Sequence, residues 1–376
     1  MWKIQLFKLN FDHRERDAVV ATLDSGWLTM GERIVAFETA FSTYLGNGAR
    51  STAVANGTAA LHMALLALDI GAGDEVIIPA LTFVADVNVV RLVGARPILA
   101  DCASQTNWNV SADTIAKKIT PRTKAVIVVH YAGFPCDMAS IVKLCRERGI
   151  KLIEDAAHAP GASIGGQMCG TFGDVGCYSF FSNKNLSIGE GGMVVACDEH
   201  ISQRLRYLRS HGMTTLTLDR HKGRAISYDV AEAGLNYRMD EMRAAIGLVQ
   251  LEKLPAGNLR RGGLTKCYRD NLTGSPVLMP FAYLPADVVS VFHILPVLLP
   301  VGVDRTAVIE ALKARGVQSS IHYPPFWVFS AYKGFFTPQD APIAAEICGR
   351  ELTLPLYPDM TDGDVDFVTS ALLAAL

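Results

Sequence analysis

The sequence lacks clustered cysteines and long hydrophobic runs. Its 8 cysteines are scattered singly without a C-x-x-C pair, so we predict neither a metal framework nor a disulfide scaffold, and we expect reduced thiols. The most apolar stretch, residues 288–301, contains a serine, a histidine and prolines and is too short to span a bilayer. The first residues have no long apolar segment of the secretory type. These absences predict a cytoplasmic protein without a membrane partner.

The sequence also lacks an excess of charge of one sign. It has 35 Lys plus Arg against 37 Asp plus Glu, a formal net charge of −2, whereas nucleic-acid-binding proteins usually carry an excess of basic residues. No G-x-G-x-x-G or Walker A motif is present, which argues against a dinucleotide or P-loop site. By contrast, 50% of the residues are hydrophobic, enough for a large core. We therefore expect a globular protein with no nucleic-acid partner.

Strand and helix patterns alternate between about residue 50 and residue 200. Continuous apolar strands that alternate with amphipathic helices are typical of a mostly parallel sheet covered on both faces. The predicted fold is therefore a three-layer α/β/α domain. The predicted strands are 51–55, 75–78, 97–100, 124–129, 151–154, 177–181 and 193–196, and the predicted helices include one capped by Thr58 and ending at Leu68, one over 81–92, one capped by Ser111 and one from Asp137 to Gly149.

The pattern changes after about residue 250. The segment LPAG at 254–257 predicts the end of a helix. The remainder is richer in proline, with HYPP at 322–325 and LPLYP at 354–358. We predict a large domain over 1–250, including the N-terminal segment, and a smaller α+β domain over 251–376.

Residues that directly follow strands are candidates for ligand binding, because open α/β sheets bind ligands at the carboxyl ends of their strands. The segment NGTAA at 56–60 joins a strand to a helix start, where free N–H groups and the Thr58 hydroxyl suit a phosphate. The alternative is an ordinary threonine N-cap. The segment EDAAH at 154–158 places Asp155 at a strand end, where a carboxylate neutralises a cationic ring nitrogen, binds a metal or caps a turn. No second cluster of metal ligands is evident, so we predict no metal site.

A lysine occupies a turn between two apolar strands. Lys184 lies within residues 179–192, and the glycines at 189–192 allow the backbone to approach another group closely. A lysine enclosed by a domain acts as an amine nucleophile toward an aldehyde, whereas a surface lysine has no such role. Together, Lys184, Asp155 and the helix start fit pyridoxal 5'-phosphate (PLP), which needs a lysine, a carboxylate at its ring nitrogen and a phosphate site.

The ordered set of these motifs resembles the DegT/DnrJ/EryC1/StrS family of sugar aminotransferases, which have the type I aspartate-aminotransferase fold. The resemblance covers residues 26 to about 254, and again the segments around 322 and 354–358. The strongest motifs are NGTAALH at 56–62, GDEVIIP at 73–79, EDAAH at 154–158, SF at 179–180 with KNL at 184–186, GEGGM at 189–193 and LNYRM at 235–239.

The resemblance implies roles for residues around the cofactor ring. Lys184 matches the Schiff-base lysine, which also moves the proton between substrate carbon and cofactor. Asp155 matches the partner of the pyridine nitrogen, and Phe83 matches an aromatic residue stacked on the ring. His158 stands where many members carry glutamine near the ring hydroxyl, and a histidine can hydrogen-bond there too.

The resemblance also implies the phosphate and substrate contacts. Asn236 matches a residue that reaches the phosphate from the other subunit, which predicts a homodimer with shared active sites. Arg238 and His322 are candidate contacts to the substrate or amino donor, with a structural role as the alternative. The residues matching phosphate contacts are Gly57, Thr58, Ala59 and Ser179.

The function implied is PLP-dependent transamination of a nucleotide-linked keto-sugar to an amino-sugar, with glutamate or glutamine as donor. An aminocyclitol or other keto-ring aminotransferase uses the same residues and stays open. A sugar 3-dehydratase on this scaffold would carry histidine in place of Lys184. A regulatory protein is the alternative of another class, but no helix-turn-helix with a basic face is evident. The sugar, the ring carbon and the stereochemistry depend on pocket shape.

Overall fold

The computed structural model describes residues 2–214 and 227–376. The strands are β1 (Arg50–Val54), β2 (Glu75–Pro79), β3 (Arg96–Ala100), β4 (Thr123–Val129), β5 (Lys151–Asp155), β6 (Ser163–Ile164), β7 (Gln167–Met168), β8 (Val175–Ser179), β9 (Gly192–Ala196), β10 (Val288–Val289), β11 (Leu295–Leu298) and β12 (Glu351–Leu354). The helices are α1 (His13–Asp24), α2 (Glu32–Leu45), α3 (Gly57–Ala67), α4 (Val84–Leu92), α5 (Ala112–Ala116), α6 (Met138–Arg148), α7 (Glu199–Arg209), α8 (Glu241–Leu272), α9 (Arg305–Ala314), α10 (Pro342–Arg350) and α11 (Asp362–Leu373).

A seven-stranded sheet forms the centre of the fold. Its strand order is β1-β9-β8-β5-β4-β2-β3. Strand β9 runs antiparallel to both of its neighbours, and the other neighbouring pairs are parallel. The prediction of a mostly parallel mixed sheet is confirmed. Because β4, β5 and β8 are parallel neighbours, the residues at their carboxyl ends share one edge of the sheet.

Both faces of this sheet are covered. Successive residues of a strand point to opposite faces, so a continuously apolar strand contributes to two cores. On one face, Ile77, Val126 and Val128 pack with Met138 and Ile141 of α6. The three-layer arrangement predicted from the sequence is therefore present. The residues that pack on the other face, with α3 and α4, include Val76, Ile78, Ala125 and Ile127.

The start of α3 differs from the prediction. Asn56, not Thr58, is the N-cap, and its Oδ1 accepts a hydrogen bond from Ala59 N at 2.8 Å. Thr58 lies in the first turn with an exposed side chain. Asparagine caps helices at least as well as threonine does, and the helix is capped two residues earlier than the Thr58 pattern indicated. As a result, the Thr58 hydroxyl is left for another partner.

The predicted helix end at residues 254–257 is wrong. Helix α8 runs for 32 residues through Pro255. Proline removes one hydrogen bond, to the carbonyl of Leu251, and strains the helix locally. Packing against α1, α2 and α11, with Leu254 and Leu264 buried, offsets that cost. Among the described helices, even this longest one included, none is long and apolar enough to cross a membrane.

A second core forms around the C-terminal elements. Strands β11 and β12 pair antiparallel, and α9 and α11 pack beside them. Ile4 joins this core and forms a parallel bridge with Val317. The predicted boundary at 250/251 falls inside α8, which contacts elements on both sides of it. The division into two domains stays a prediction.

Candidate active site

A cavity of about 430 Å³ opens at the carboxyl ends of β4, β5 and β8. The first turns of α3 and α4 and the turn after β8 complete its walls. This is the edge where open α/β sheets bind ligands. The fold thus brings together residues that are far apart in sequence. The sequence-predicted residues that line the cavity are Gly57, Thr58, Phe83, Asp155, His158, Ser179, Lys184 and His322.

Lys184 lies in the turn between β8 and β9. Its main-chain N–H donates to the Phe181 carbonyl at 2.8 Å, which holds the turn. Desolvation lowers the pKa of the Lys184 amine to about 8, although attraction to Asp155 opposes this. With that pKa, about a tenth of the amine is uncharged at pH 7, compared with roughly one part in three thousand for an ordinary lysine. Lys184 is therefore equipped to act as a nucleophile near neutral pH.

Asp155 ends β5 and is 7% exposed. One of its carboxylate oxygens accepts from Ala157 N at 2.9 Å, so Asp155 caps the following turn as well as lining the cavity. Burial raises the pKa of Asp155, and the Ala157 hydrogen bond and the charges of Lys184 and His130 oppose the rise. Within residues 2–214 and 227–376, no group of three or more His, Cys, Asp or Glu side chains is placed to hold a metal ion. A cationic partner in the cavity would stabilise the Asp155 carboxylate.

The start of α3 forms the end of the cavity that suits a phosphate. Gly57 and Thr58 occupy the first turn, where main-chain N–H groups have no partner within the helix. Thr58 is exposed, and Ser179 lines the cavity next to Gly57. The N–H of Ala59 is not free for a phosphate in the same way, because it already donates to Asn56 Oδ1. Free donors and the positive end of the helix dipole make this corner suited to an anion.

Two glycines permit the close packing on which this corner depends. A Cβ on Gly57 would lie 2.8 Å from the Cβ of Ser179. A Cβ on Gly192 would lie 2.6 Å from the carbonyl carbon of Asn56. Both approaches are closer than a side chain allows. With an anion-binding helix start, an amine and a carboxylate around one space, the cavity fits PLP by the chemistry of its donors.

Aromatic side chains form another wall of the cavity. Phe83 is the N-cap residue of α4 and is 53% exposed. Its ring centroid lies 5.5 Å from that of Tyr323. His158 is buried beside them, and burial together with the charges of Lys184 and His322 lowers its pKa well below the usual value. An exposed phenylalanine inside a cavity offers a face on which a ring can stack.

The three remaining predicted residues differ in position. His322 lines the cavity, and its main-chain N donates to Glu351 Oε2 at 2.8 Å. Burial and the charge of Lys184 lower the pKa of His322 to about 4. Asn236 and Arg238 lie on a segment that forms backbone bridges with Ser210 and Val54, and neither is among the cavity-lining residues. The Asn236 side chain is exposed.

Sequence reasoning missed Tyr323 in the cavity wall and Asp86 behind it, which is hydrogen-bonded to the lining residue Thr82. Tyr323 lines the cavity directly after His322, and the HYPP motif could have drawn attention to it. Asp86 is fully buried in the first turn of α4, where it resembles an ordinary helix-start acid. Thr82 Oγ1 donates to Asp86 Oδ2 at 2.5 Å, and Oδ1 has no partner among the described residues. Burial and the charge of Asp155 raise the pKa of Asp86 well above its usual value.

Comparisons with known proteins agree with this architecture. The model of the DegT/DnrJ/EryC1/StrS aminotransferase family matches residues 10–373. An uncharacterized protein of Methanocaldococcus jannaschii is 37% identical over 374 residues, covering 97% of this chain and 95% of that protein.

Solved structures show the same likeness. The aminotransferase TlmJ from Streptoalloteichus hindustanus is 35% identical, with a TM-score of 0.90 over 100% of this chain and 98% of that one. Spr1654 from Streptococcus pneumoniae, in its PMP form, is 29% identical, with a TM-score of 0.90 and 97% of each chain covered. The same protein is also solved in its PLP form, at 28% identity.

Proposed function

Since the chain belongs to the DegT/DnrJ/EryC1/StrS family of PLP-dependent sugar aminotransferases, we propose that it converts a nucleotide-linked keto-sugar into an amino-sugar, with glutamate or glutamine as amino donor. The observation that carries the proposal is the cavity itself. It brings Lys184, Asp155 and the free helix start at Gly57 and Thr58 around one space. Bound PLP supplies an aldehyde that accepts an amino group and a ring that withdraws electrons.

Lys184 provides the amine and the proton transfer. Because its pKa is lowered to about 8, an uncharged amine is present near neutral pH, and with PLP in the cavity it would condense with the cofactor aldehyde and release water. With PLP and substrate bound, an amine released from the cofactor would stay in the cavity that Lys184 lines. There it would take a proton from the reacting carbon as a general base and return it to the neighbouring carbon as a general acid. One residue thus serves as both anchor and proton carrier.

Asp155 and the helix start orient the cofactor between them. With PLP bound, the Asp155 carboxylate would favour the protonated ring nitrogen and so strengthen the electron-withdrawing effect of the ring. At the other end, the N–H groups of Gly57 and Thr58 and the hydroxyls of Thr58 and Ser179 bind the phosphate. These two groups lie on a strand end and a helix start, so together they would fix the orientation of the cofactor toward Lys184.

The outer part of the cavity supports a sugar substrate. Phe181 is 43% exposed along its wall, and an apolar face of this kind packs against a sugar ring. Glu190 and Asn183 also line the cavity and suit sugar hydroxyl groups. Thr58, Phe181 and Glu190 are exposed, so the cavity opens to the surface and a nucleotide can extend outward.

We also propose that the active enzyme is a homodimer with shared sites. The exposed Asn236 side chain and its position outside the cavity of its own chain support this, because Asn236 is then available to the phosphate corner of a second copy. Arg238, on the same segment, would lie near the same interface. A cytoplasmic location stays a prediction.

A substrate panel tests the proposed reaction. The purified holoenzyme is incubated with nucleotide-linked 3-keto and 4-keto sugars, each with glutamate or with glutamine, and amino-sugar products are measured by mass spectrometry. We expect one nucleotide keto-sugar to be aminated, and ¹⁵N in the donor amino group to appear in the product. The Lys184→Ala variant is the negative control.

Two outcomes would redirect the assignment. Amination of a free keto-cyclitol, with no nucleotide sugar converted, would contradict the nucleotide-linked substrate and favour the keto-ring alternative. Absence of any cofactor absorbance in the purified protein, even after added PLP, would contradict the enzyme and favour a regulatory role.

A further inference from the structure

Both ring nitrogens of His158 are already engaged within the chain. The main-chain N–H of Ala132 donates to Nδ1 at 3.3 Å. On the other side of the ring, Nε2 lies 3.1 Å from the hydroxyl of Tyr323. His158 lines the cavity, yet neither nitrogen is left for a ligand. A hydrogen bond from this wall to a ligand must therefore come from a neighbouring residue.

The direction of these hydrogen bonds follows from the tautomer of His158. A nitrogen that accepts a hydrogen bond carries no proton, so neutral His158 has its proton on Nε2. Burial and the nearby charges of Lys184 and His322 keep the ring neutral by lowering its pKa. Nε2–H therefore donates to the Tyr323 oxygen. The Tyr323 hydroxyl keeps its own proton free to donate.

The Tyr323 hydroxyl can donate this proton to an acceptor in the cavity. Tyr323 lines the cavity with Lys184 and Asp155. Burial raises the pKa of the Tyr323 hydroxyl, so it stays protonated and acts as a donor. Across residues 2–214 and 227–376, no partner of this hydroxyl besides His158 is found. Tyr323 is half-buried in the cavity wall, so a ligand that fills the cavity meets this donor and can accept its hydrogen bond.

The backbone before Tyr323 is held from three sides. His322 N donates to Glu351 Oε2 at 2.8 Å, and His322 Nδ1 lies 2.9 Å from Thr353 Oγ1. The hydroxyl of Tyr131 donates to the carbonyl of His322. These bonds fix the position from which the Tyr323 side chain extends. Its hydroxyl is thus a preorganised donor and not a mobile surface group.

We propose that Tyr323 donates a hydrogen bond to the phenolic oxygen of bound PLP and that His158 is the positioning residue that orients the Tyr323 hydroxyl. The phenolic oxygen is next to the carbon that bonds to Lys184, and it is the anionic acceptor that the cofactor brings to this region. His158 then acts through Tyr323 and not by direct contact. The proposal depends on the cofactor and not on which keto-sugar is the substrate.

Several charged and titratable groups near His158 and Tyr323 also influence how the site responds to pH. Asp155, Glu351 and Asp86 act on Tyr323, and Lys184 and His322 act on His158. The His293 ring also contacts His158, with centroids 4.3 Å apart. All of them stay in place in the variants below. Differences between variants therefore report on the Tyr323 donor.

The test is a pH titration of the absorbance of the holoenzyme without substrate. The negative phenolic oxygen attracts the proton on the nitrogen that joins Lys184 to the cofactor, and a second donor weakens that attraction. Tyr323→Phe should therefore raise the midpoint of the titration by about one pH unit, the scale of one hydrogen bond to a charged group. His158→Leu should raise it in the same direction, while His158→Gln, which keeps an N–H donor, should raise it less.

The controls separate this effect from a general disturbance. Tyr332→Phe removes another hydroxyl of the C-terminal segment, one that bonds Asn88 outside the cavity lining, and should leave the midpoint unchanged. Adding His158→Leu to Tyr323→Phe should produce no further shift, because His158 acts through Tyr323. An unchanged midpoint in cofactor-loaded Tyr323→Phe overturns the proposal. If that variant fails to bind cofactor, equal midpoints for His158→Leu and His158→Gln overturn it instead.

Discussion

At the scale of single residues, burial gives Lys184 its reactivity. Removal from water disfavours the ammonium form and lowers the pKa to about 8, so the uncharged amine appears at lower pH than in a free lysine. We expect the rate at which the apoenzyme captures PLP to rise with pH with a midpoint near 8. Stopped-flow absorbance from pH 6.5 to 9.5 measures this (the range is about 1.5 units either side of the midpoint). A midpoint near the ordinary lysine value would contradict the burial argument.

Substitution of Asp155 tests whether its charge assists the ring of the cofactor. Asp155→Asn removes the charge and nearly keeps the shape, so cofactor content should be largely retained through Lys184 and the phosphate corner. Turnover should fall by about a hundredfold or more, the scale of losing one preorganised electrostatic partner. Asp198→Asn is the matched control, because Asp198 caps α7, is not among the cavity-lining residues, and asparagine can cap as well. Near-normal turnover of Asp155→Asn would leave Asp155 as a turn cap only.

At the scale of elements, the first turn of α3 is the feature that positions the phosphate. Gly57→Ala would place a Cβ 2.8 Å from Ser179 and move the helix start away from the end of β8. We expect affinity for PLP to fall by about tenfold or more, the effect of losing roughly one charge-assisted hydrogen bond. Equilibrium binding of PLP to the apoenzyme measures the change.

The control for this substitution lies in another helix. Gly263, in α8, has open space around the position of a Cβ. Gly263→Ala should leave PLP affinity unchanged and raise the free energy of unfolding by up to about 1 kcal/mol, because alanine favours helices over glycine. If both alanine variants bind PLP like the wild type, close packing at Gly57 is not what shapes the phosphate corner.

At the scale of the whole molecule, shared active sites predict complementation between inactive subunits. Lys184→Ala and Asn236→Ala subunits should each have little activity as homodimers. In a mixed dimer, one of the two sites has Lys184 from one subunit and Asn236 from the other, both native. Activity should therefore return toward about half of the wild-type value per mixed dimer, measured after subunit exchange (one native site of two). Proven exchange without recovered activity would contradict the shared site.

The sequence by itself determined the order of the central elements and the main candidates for catalysis. Apolar strands, helix starts and the motifs around Asp155 and Lys184 are local signals. Such signals can be recognised in the sequence without knowledge of the fold. The seven strands of the sheet appear where the sequence predicted them, within about two residues. The parallel sheet then brings strand ends to one edge, so the cavity could be anticipated in general terms.

Only the tertiary structure decided which groups are engaged and which are free. Asn56 takes the cap that Thr58 was predicted to make, and packing carries α8 through Pro255. The engagement of both nitrogens of His158, one by Ala132 and one by Tyr323, depends on segments far apart in the chain. Hydrogen bonds of this kind, and the desolvation that shifts pKa values, arise from long-range contacts that no local pattern encodes.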